Sequence, residues 1–158
     1  MSLPADIRIA SETAKFGFVF TRRGLVPEAC STWFLPRIVG ISTALEWTMG
    51  AKMVSATEAL ERGLVREVVP VDQVLDRAIE VAVELTAGTS PVSVAMTRQM
   101  MWRMLGAESP EVAHRAESKA IYIRGTSDDV REGVSAFLEK RAPVFPQQVS
   151  AGLPAVLE

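Results

Sequence analysis

The sequence holds one cysteine, one histidine and one tyrosine in 158 residues. Cys30 alone cannot build an intrachain disulfide framework, which fits a reducing cytosol better than secretion. His114 alone removes most histidine chemistry. No Cys/His cluster has metal-ligand spacing, and a Ser-His-Asp triad would have only that ring to draw on. It stands beside Glu111, Arg115 and Glu117 in a helical pattern, where a solvated helix face is expected. No apolar run approaches the ~20 residues that cross a bilayer. Met1 to Ala10 lacks the basic-then-apolar order of a signal peptide. A surplus of one charge is also missing, since 17 basic and 19 acidic residues leave a net charge of −2. No basic patch invites nucleic acid. Neither GxGxxG nor GxxxxGK[ST] occurs, so phosphate-loop chemistry is unsupported. These absences predict a cytoplasmic protein with no metal, membrane or nucleic-acid partner.

What is present is apolar material. The sequence is 48% hydrophobic against 23% charged, enough for the core of one ordinary domain. Asp6 to Ala10 alternates polar and apolar and predicts a short strand; Ala14 to Phe20 predicts a second extended segment. Gly24-Leu25-Val26-Pro27-Glu28 reads as a turn opening a helix, with proline in the first helical turn. Ser42 could cap a helix that carries Ala44, Leu45 and Met49 on one side. Ser55-Ala56-Thr57-Glu58 has capping-box spacing, and the helix it opens should stop at Gly63. Leu64 to Val69 is strand-like. From Asp72 the pattern turns helical, with Val74, Leu75, Ile79, Ala82, Val83 and Leu85 as one apolar stripe. Val92, Met96, Met100, Trp102 and Leu105 supply part of the next. Two further helices fit Pro110 to Ile123 and Asp128 to Lys140, the latter capped by Ser127 or Asp128. The end from Gln147 onward looks irregular and mobile. So few short strands cannot make a stable sheet alone, which predicts that a sheet-forming segment is supplied from elsewhere.

Glu28 lies among Leu25, Val26, Pro27, Ala29 and Cys30. A carboxylate enclosed by apolar groups suits a general acid/base near neutrality. The competing reading is an ordinary carboxylate favoured by the dipole of a first helical turn. Arg22, Arg23 and Arg37 are surface charges or anion contacts. The methionines at 96, 100, 101 and 104 pack a helix against neighbours or another subunit.

Several blocks in register resemble the enoyl-CoA hydratase/isomerase, or crotonase, family. They are Ala5-Asp6-Ile7-Arg8-Ile9-Ala10-Ser11-Glu12-Thr13-Ala14-Lys15-Phe16-Gly17, Gly24-Leu25-Val26-Pro27, and Leu35-Pro36-Arg37-Ile38-Val39-Gly40. Ser55 to Val65 and Arg131-Glu132-Gly133-Val134-Ser135-Ala136-Phe137-Leu138-Glu139-Lys140-Arg141 continue the match. The resemblance implies a partial crotonase-like α/β fold, with few short strands followed by a mostly helical C-terminal region. It divides the chain into the C-terminal part of the family core (1–70), a helical oligomerisation region (71–145) and a flexible tail (146–158). It implies an acyl-CoA substrate in fatty acid metabolism, no cofactor beyond the coenzyme A thioester itself, and assembly as a homotrimer or hexamer. Met1-Ser2-Leu3 departs from the pattern, as a truncated chain, a wrongly assigned start or one piece of a split gene would.

The site residues follow from the same resemblance. In hydratase members one glutamate would fall ahead of Met1, and the second would stand where this chain has Phe20. The Δ3,Δ2-enoyl-CoA isomerase members carry an acidic residue directly after the proline, and Glu28 matches it. Glu28 is thus implied as the catalytic proton carrier, with Phe18, Phe20 and Trp33 as an apolar wall that keeps water out. Lys140 matches a lysine near the CoA phosphates, donated across a subunit boundary. The expected activity is an enoyl-CoA double-bond shift. The alternatives are an enoyl-CoA hydratase and a non-catalytic fragment that assembles with a partner. Whether this chain acts alone as an enzyme stays open, because both oxyanion donors are implied in the family's N-terminal half.

Overall fold

A computed structural model describes residues 2–156 and divides the chain into two units, Met1–Val81 and Ala82–Glu158. The first unit contains β1 (Ile9–Ser11), β2 (Lys15–Gly17), α1 (Ser31–Val39), α2 (Ile41–Met49), β3 (Met53–Ser55), α3 (Ala56–Glu61) and β4 (Glu67–Val69). Helix α4 (Val74–Thr86) carries the chain from one unit into the next. The second unit holds α5 (Pro91–Met104), α6 (Pro110–Gly125) and α7 (Asp128–Glu139). The expected division after residue 70 therefore differs from the compact one, which falls near the end of α4.

The strands form two separate pairs. β1 and β4 run parallel, with Ile9 opposite Glu67 and Ser11 opposite Val69. β2 and β3 run antiparallel, with Lys15 opposite Ser55 and Gly17 opposite Met53. Each strand is three residues long, shorter than the three strand-like segments read from the sequence. Phe20–Arg23 turns into a 3-10 helix instead of prolonging β2.

Around these pairs the first unit packs Leu3, Phe18, Leu35, Trp47, Val54 and Leu64. Trp47 is fully buried, stacks on Phe18 at 5.6 Å between centroids, and donates its indole N–H to Glu58 Oε1 at 3.0 Å. Full burial of one such side chain contributes about 1.5–3 kcal/mol. Ser55 caps α3 as its spacing predicts, accepting the Glu58 N–H at 3.2 Å, and Gly63 ends the helix at φ +75°. The box is only half made, because the Glu58 carboxylate serves Trp47 and Lys52 instead.

Two other helices depart from their sequence patterns. Gly40, at φ 78° and ψ 157°, takes a conformation nearly reserved for glycine, so α2 begins directly behind it at Ile41. Ser42 is therefore inside the helix. Thr43, Ala44 and Trp47 are its buried residues, while Leu45 and Met49 face out. On α4 the reversal is larger: Leu75, Ile79 and Val83 are 70%, 54% and 59% exposed, and Val81 alone is buried.

In the second unit Val92 and Met96 of α5 meet Ala120 of α6 and Val156. Of the segment expected to be mobile, Val156 is buried and Gln147 is hydrogen-bonded to both Asp129 and Arg124, while residues 157 and 158 lie outside the described residues. Ser127 caps α7 by accepting the Val130 N–H. Asp129, in the first turn behind that cap, is buried. It accepts from Ser90 Oγ at 2.5 Å, Arg124 Nη2 at 2.8 Å and the Gln147 N–H at 3.0 Å.

Candidate active site

Pro27 and Glu28 stand ahead of α1, in the loop and not in its first turn. Ala29 and Cys30 both adopt left-handed backbone, at φ 52° and 57°, which delays the helix to Ser31. Such residues are uncommon outside glycine, so two in succession form a sharp, specified corner. Ser31 fastens it: its backbone N–H and hydroxyl both donate to the Glu28 carbonyl, at 2.9 and 2.6 Å. The Glu28 backbone is thereby anchored while its side chain is left exposed. Its apolar sequence neighbours do not by themselves enclose it, because Leu25 and Val26 are 59% and 78% exposed.

The expected apolar wall is also split. Phe18 is core, buried against Trp47, so its ring is already occupied by packing and is not an open wall. Phe20 is half-buried at the start of its 3-10 helix, and Trp33 is 39% exposed on α1. Trp33 meets Phe34 edge-on at 4.7 Å and carries the Arg37 guanidinium 4.0 Å above its ring. Arg37 also donates to the Trp33 carbonyl at 2.9 Å, which makes it a helix-surface partner of that indole. Glu28, Phe20 and Trp33 fall in one stretch of the first unit. Lys140 belongs to the second unit, exposed at the end of α7.

Lys140 closes α7 in left-handed conformation at φ 55°. Its N–H donates to the Phe137 carbonyl, and the Arg141 N–H reaches back to Ala136. Arg141 then grips both flanking acids, Glu132 by a two-pronged ion pair at 2.6 and 2.9 Å and Glu139 at 2.7 Å. Those bonds, with the Val144 N–H, hold the Glu132 carboxyl down at about 2. Periodicity concealed this cluster. The spacing of Glu132 and Arg141 signals nothing until the chain turns back at Lys140.

Among the described residues no three His, Cys, Asp or Glu side chains lie together to hold a metal ion. Among them, too, no helix is long and apolar enough to cross a membrane. His114 is exposed on α6.

The family profile described as enoyl-CoA hydratase/isomerase matches residues 1–148. The enoyl-CoA hydratase ACTT3 of Alternaria alternata is 44% identical over 146 residues, which are 92% of this chain and 49% of that protein. The 1,2-epoxyphenylacetyl-CoA isomerase of Escherichia coli K12 is 35% identical over 148 residues, 92% of this chain and 55% of that protein. Among solved structures, the enoyl-CoA hydratase of Bacillus anthracis superposes with a TM-score of 0.86 at 33% identity. It is matched over 93% of this chain and 56% of that one. The chain spans about half the length of the curated relatives it matches.

Proposed function

The chain belongs to the enoyl-CoA hydratase/isomerase family, with its crotonase-like α/β fold, and from that premise we propose that its protein shifts a double bond in an enoyl-CoA through Glu28. The observation that carries this reading is the Glu28 corner. Two left-handed residues, and a carbonyl that accepts two bonds from Ser31, fix the Glu28 backbone while its carboxylate stays exposed, which supports a role for it in proton transfer. In this mechanism Glu28 takes a proton from C2 of a 3-enoyl thioester, leaving a dienolate, and returns it at C4. The double bond moves to C2–C3 and the carboxylate is regenerated. One carboxylate suffices when both transfers occur on the same face. Phe20 stands where the resemblance puts the second glutamate of a hydratase, which favours isomerisation over water addition.

The backbone donors that stabilise the enolate are usually the largest catalytic contribution. On this reading they lie in the part of the family's length that the chain does not span, and that part also encloses Glu28. Phe20 and Trp33 are the wall residues left to exclude water, and Lys140 meets the CoA phosphates. A cytoplasmic homotrimer or hexamer belongs to the same proposal. The test supplies a family N-terminal half and assays 3-enoyl-CoA isomerisation. Glu28→Gln should abolish it, and retained activity in that variant would sink the role of Glu28.

A second reading is favoured by the outward apolar stripe of α4. Here the chain is a non-catalytic module that docks on a sheet-forming partner of the same family. Acyl-CoA binding by the isolated chain at ordinary family affinity would count against it.

A further inference from the structure

Lys140 occupies a position that glycine would fill at lower cost. After a helix, the residue that turns left-handed is most often glycine, because a Cβ there crowds the neighbouring carbonyl. Here the two backbone bonds of that turn, from Lys140 to Phe137 and from Arg141 to Ala136, are both made. The strain is sustained by side chains beyond the turn. Arg141 lies across Glu132 one helical stretch back, and the same carboxylate accepts the Val144 N–H at 2.6 Å. The Phe145 ring then closes over Gly133, where an added Cβ would meet it at 3.5 Å. The chain is thus clamped on the far side of the lysine. Arg141 also engages Glu139, so both acids flanking the turn are taken. Lys140 is left exposed and without an ion pair among the described residues.

We propose that Glu132 and Arg141 are positioning residues, which hold the left-handed turn so that the Lys140 ammonium is presented to the phosphates of a CoA thioester. This rests on the reading of Lys140 given above. It adds that the arginine beside it, although cationic, is neutralised by its two acids and acts through the lysine. A pair of positive charges would attract phosphate without orientation. One clamped arginine and one presented lysine attract it at a defined place.

The test supplies the same family N-terminal half and measures, by calorimetry, binding of acetyl-CoA and of the truncated S-acetyl-pantetheine, which lacks the nucleotide phosphates, to the complex and its variants. Lys140→Ala should weaken acetyl-CoA about fivefold relative to the truncated thioester, as loss of one exposed ion pair would. Arg141→Met and Glu132→Gln should shift that ratio in the same direction, though neither side chain touches the ligand. Lys140→Gly should lose the same discrimination yet raise Tm by roughly 2–4 °C, because glycine relieves the turn. If Lys140→Ala lowers the ratio while Arg141→Met and Glu132→Gln leave it unchanged, the positioning role is overturned and the lysine reading stands. If Lys140→Ala leaves the ratio unchanged, or the parent binds neither thioester, the lysine reading falls and takes the inference with it. A Tm unchanged or lowered by Lys140→Gly would show that the turn stores no strain.

Discussion

Replacing Asp129 by asparagine tests whether a buried charge pair organises the second unit. Asp129 is 1% exposed, and Arg124, 8% exposed, donates to it at 2.8 Å. One carboxylate oxygen takes Ser90 and Arg124; the other takes the Gln147 N–H. An asparagine amide cannot serve both sides. If its oxygen faces Arg124, its NH2 opposes the Gln147 N–H; if reversed, its NH2 opposes the guanidinium. Either way a buried donor loses its acceptor and Arg124 loses its countercharge. Breaking such a pair costs about 3–5 kcal/mol. Arg124 keeps the Gln147 side-chain oxygen at 2.6 Å, which places the expected loss near the lower end. About 3 kcal/mol is a factor of roughly 150 in the folding equilibrium. Urea unfolding at pH 7, followed by far-UV circular dichroism, would measure it. The acid limb supplies a sign. Burial pushes the Asp129 carboxyl up, but the bonds from Ser90, Gln147 and Arg124 outweigh burial and hold it below its ordinary value. Its contribution is therefore complete above pH ~4 and fades as pH falls through the lowered value. The asparagine variant should lack that fade. Removing both charges, with Asp129→Leu and Arg124→Met, should cost less than the sum of the single changes. A loss under about 1 kcal/mol for Asp129→Asn would refute the reasoning.

Glu132 makes a second pH prediction. Its carboxyl is held at about 2, so the clamp at 141–144 should be whole above pH ~4.5 and release as pH falls toward that value. Faster hydrogen exchange at the Val144 amide over that window would report it, and pH-independent protection would contradict it. Leu75→Lys and Ile79→Lys alter the outward face of α4, so each should change the stability of the isolated chain by no more than about 0.5 kcal/mol. The same variants should weaken association with a family N-terminal half in a pull-down; undiminished capture would remove the docking role of that face. Ser55→Ala should cost about 1 kcal/mol in urea unfolding, because it removes the acceptor for the Glu58 N–H.

Local signals were legible wherever a side chain acts on its own backbone. Ser55, Gly63 and Ser127 behave as their spacing predicts, and the Val92 and Met96 side of α5 is core. The helical order of the second half and the scarcity of strand were equally plain. Periodicity failed where it identifies an apolar face without saying what that face meets. The stripe on α4 is real in sequence and outward in the structure, and α2 turned because Gly40 set its first residue. Asp129 escaped notice because its partners Ser90 and Arg124 lie 39 and 5 residues away, in an arrangement that no spacing rule encodes. The role proposed for Glu28 rests on family register, not on any spacing rule. Its corner depends on two left-handed residues, Ala29 and Cys30, whose side chains carry no such preference.

The parallel pair of β1 and β4 has a kinetic consequence. It joins Ile9–Ser11 to Glu67–Val69 across almost the entire first unit, and only three residues on each side repay the closure. Lengthening a loop adds closure cost slowly, but all of it falls due before the first bond forms. Contacts so distant in sequence tend to be made late in folding. The Arg8 side chain, donating to the Leu64 carbonyl at 2.6 Å, is a latch on that same closure. The first strand should therefore be the last piece to arrive and the first to peel away. In hydrogen exchange the β1 amides should lose protection ahead of those in α2, leaving a partly open unit whose free β4 edge could accept a strand from another chain.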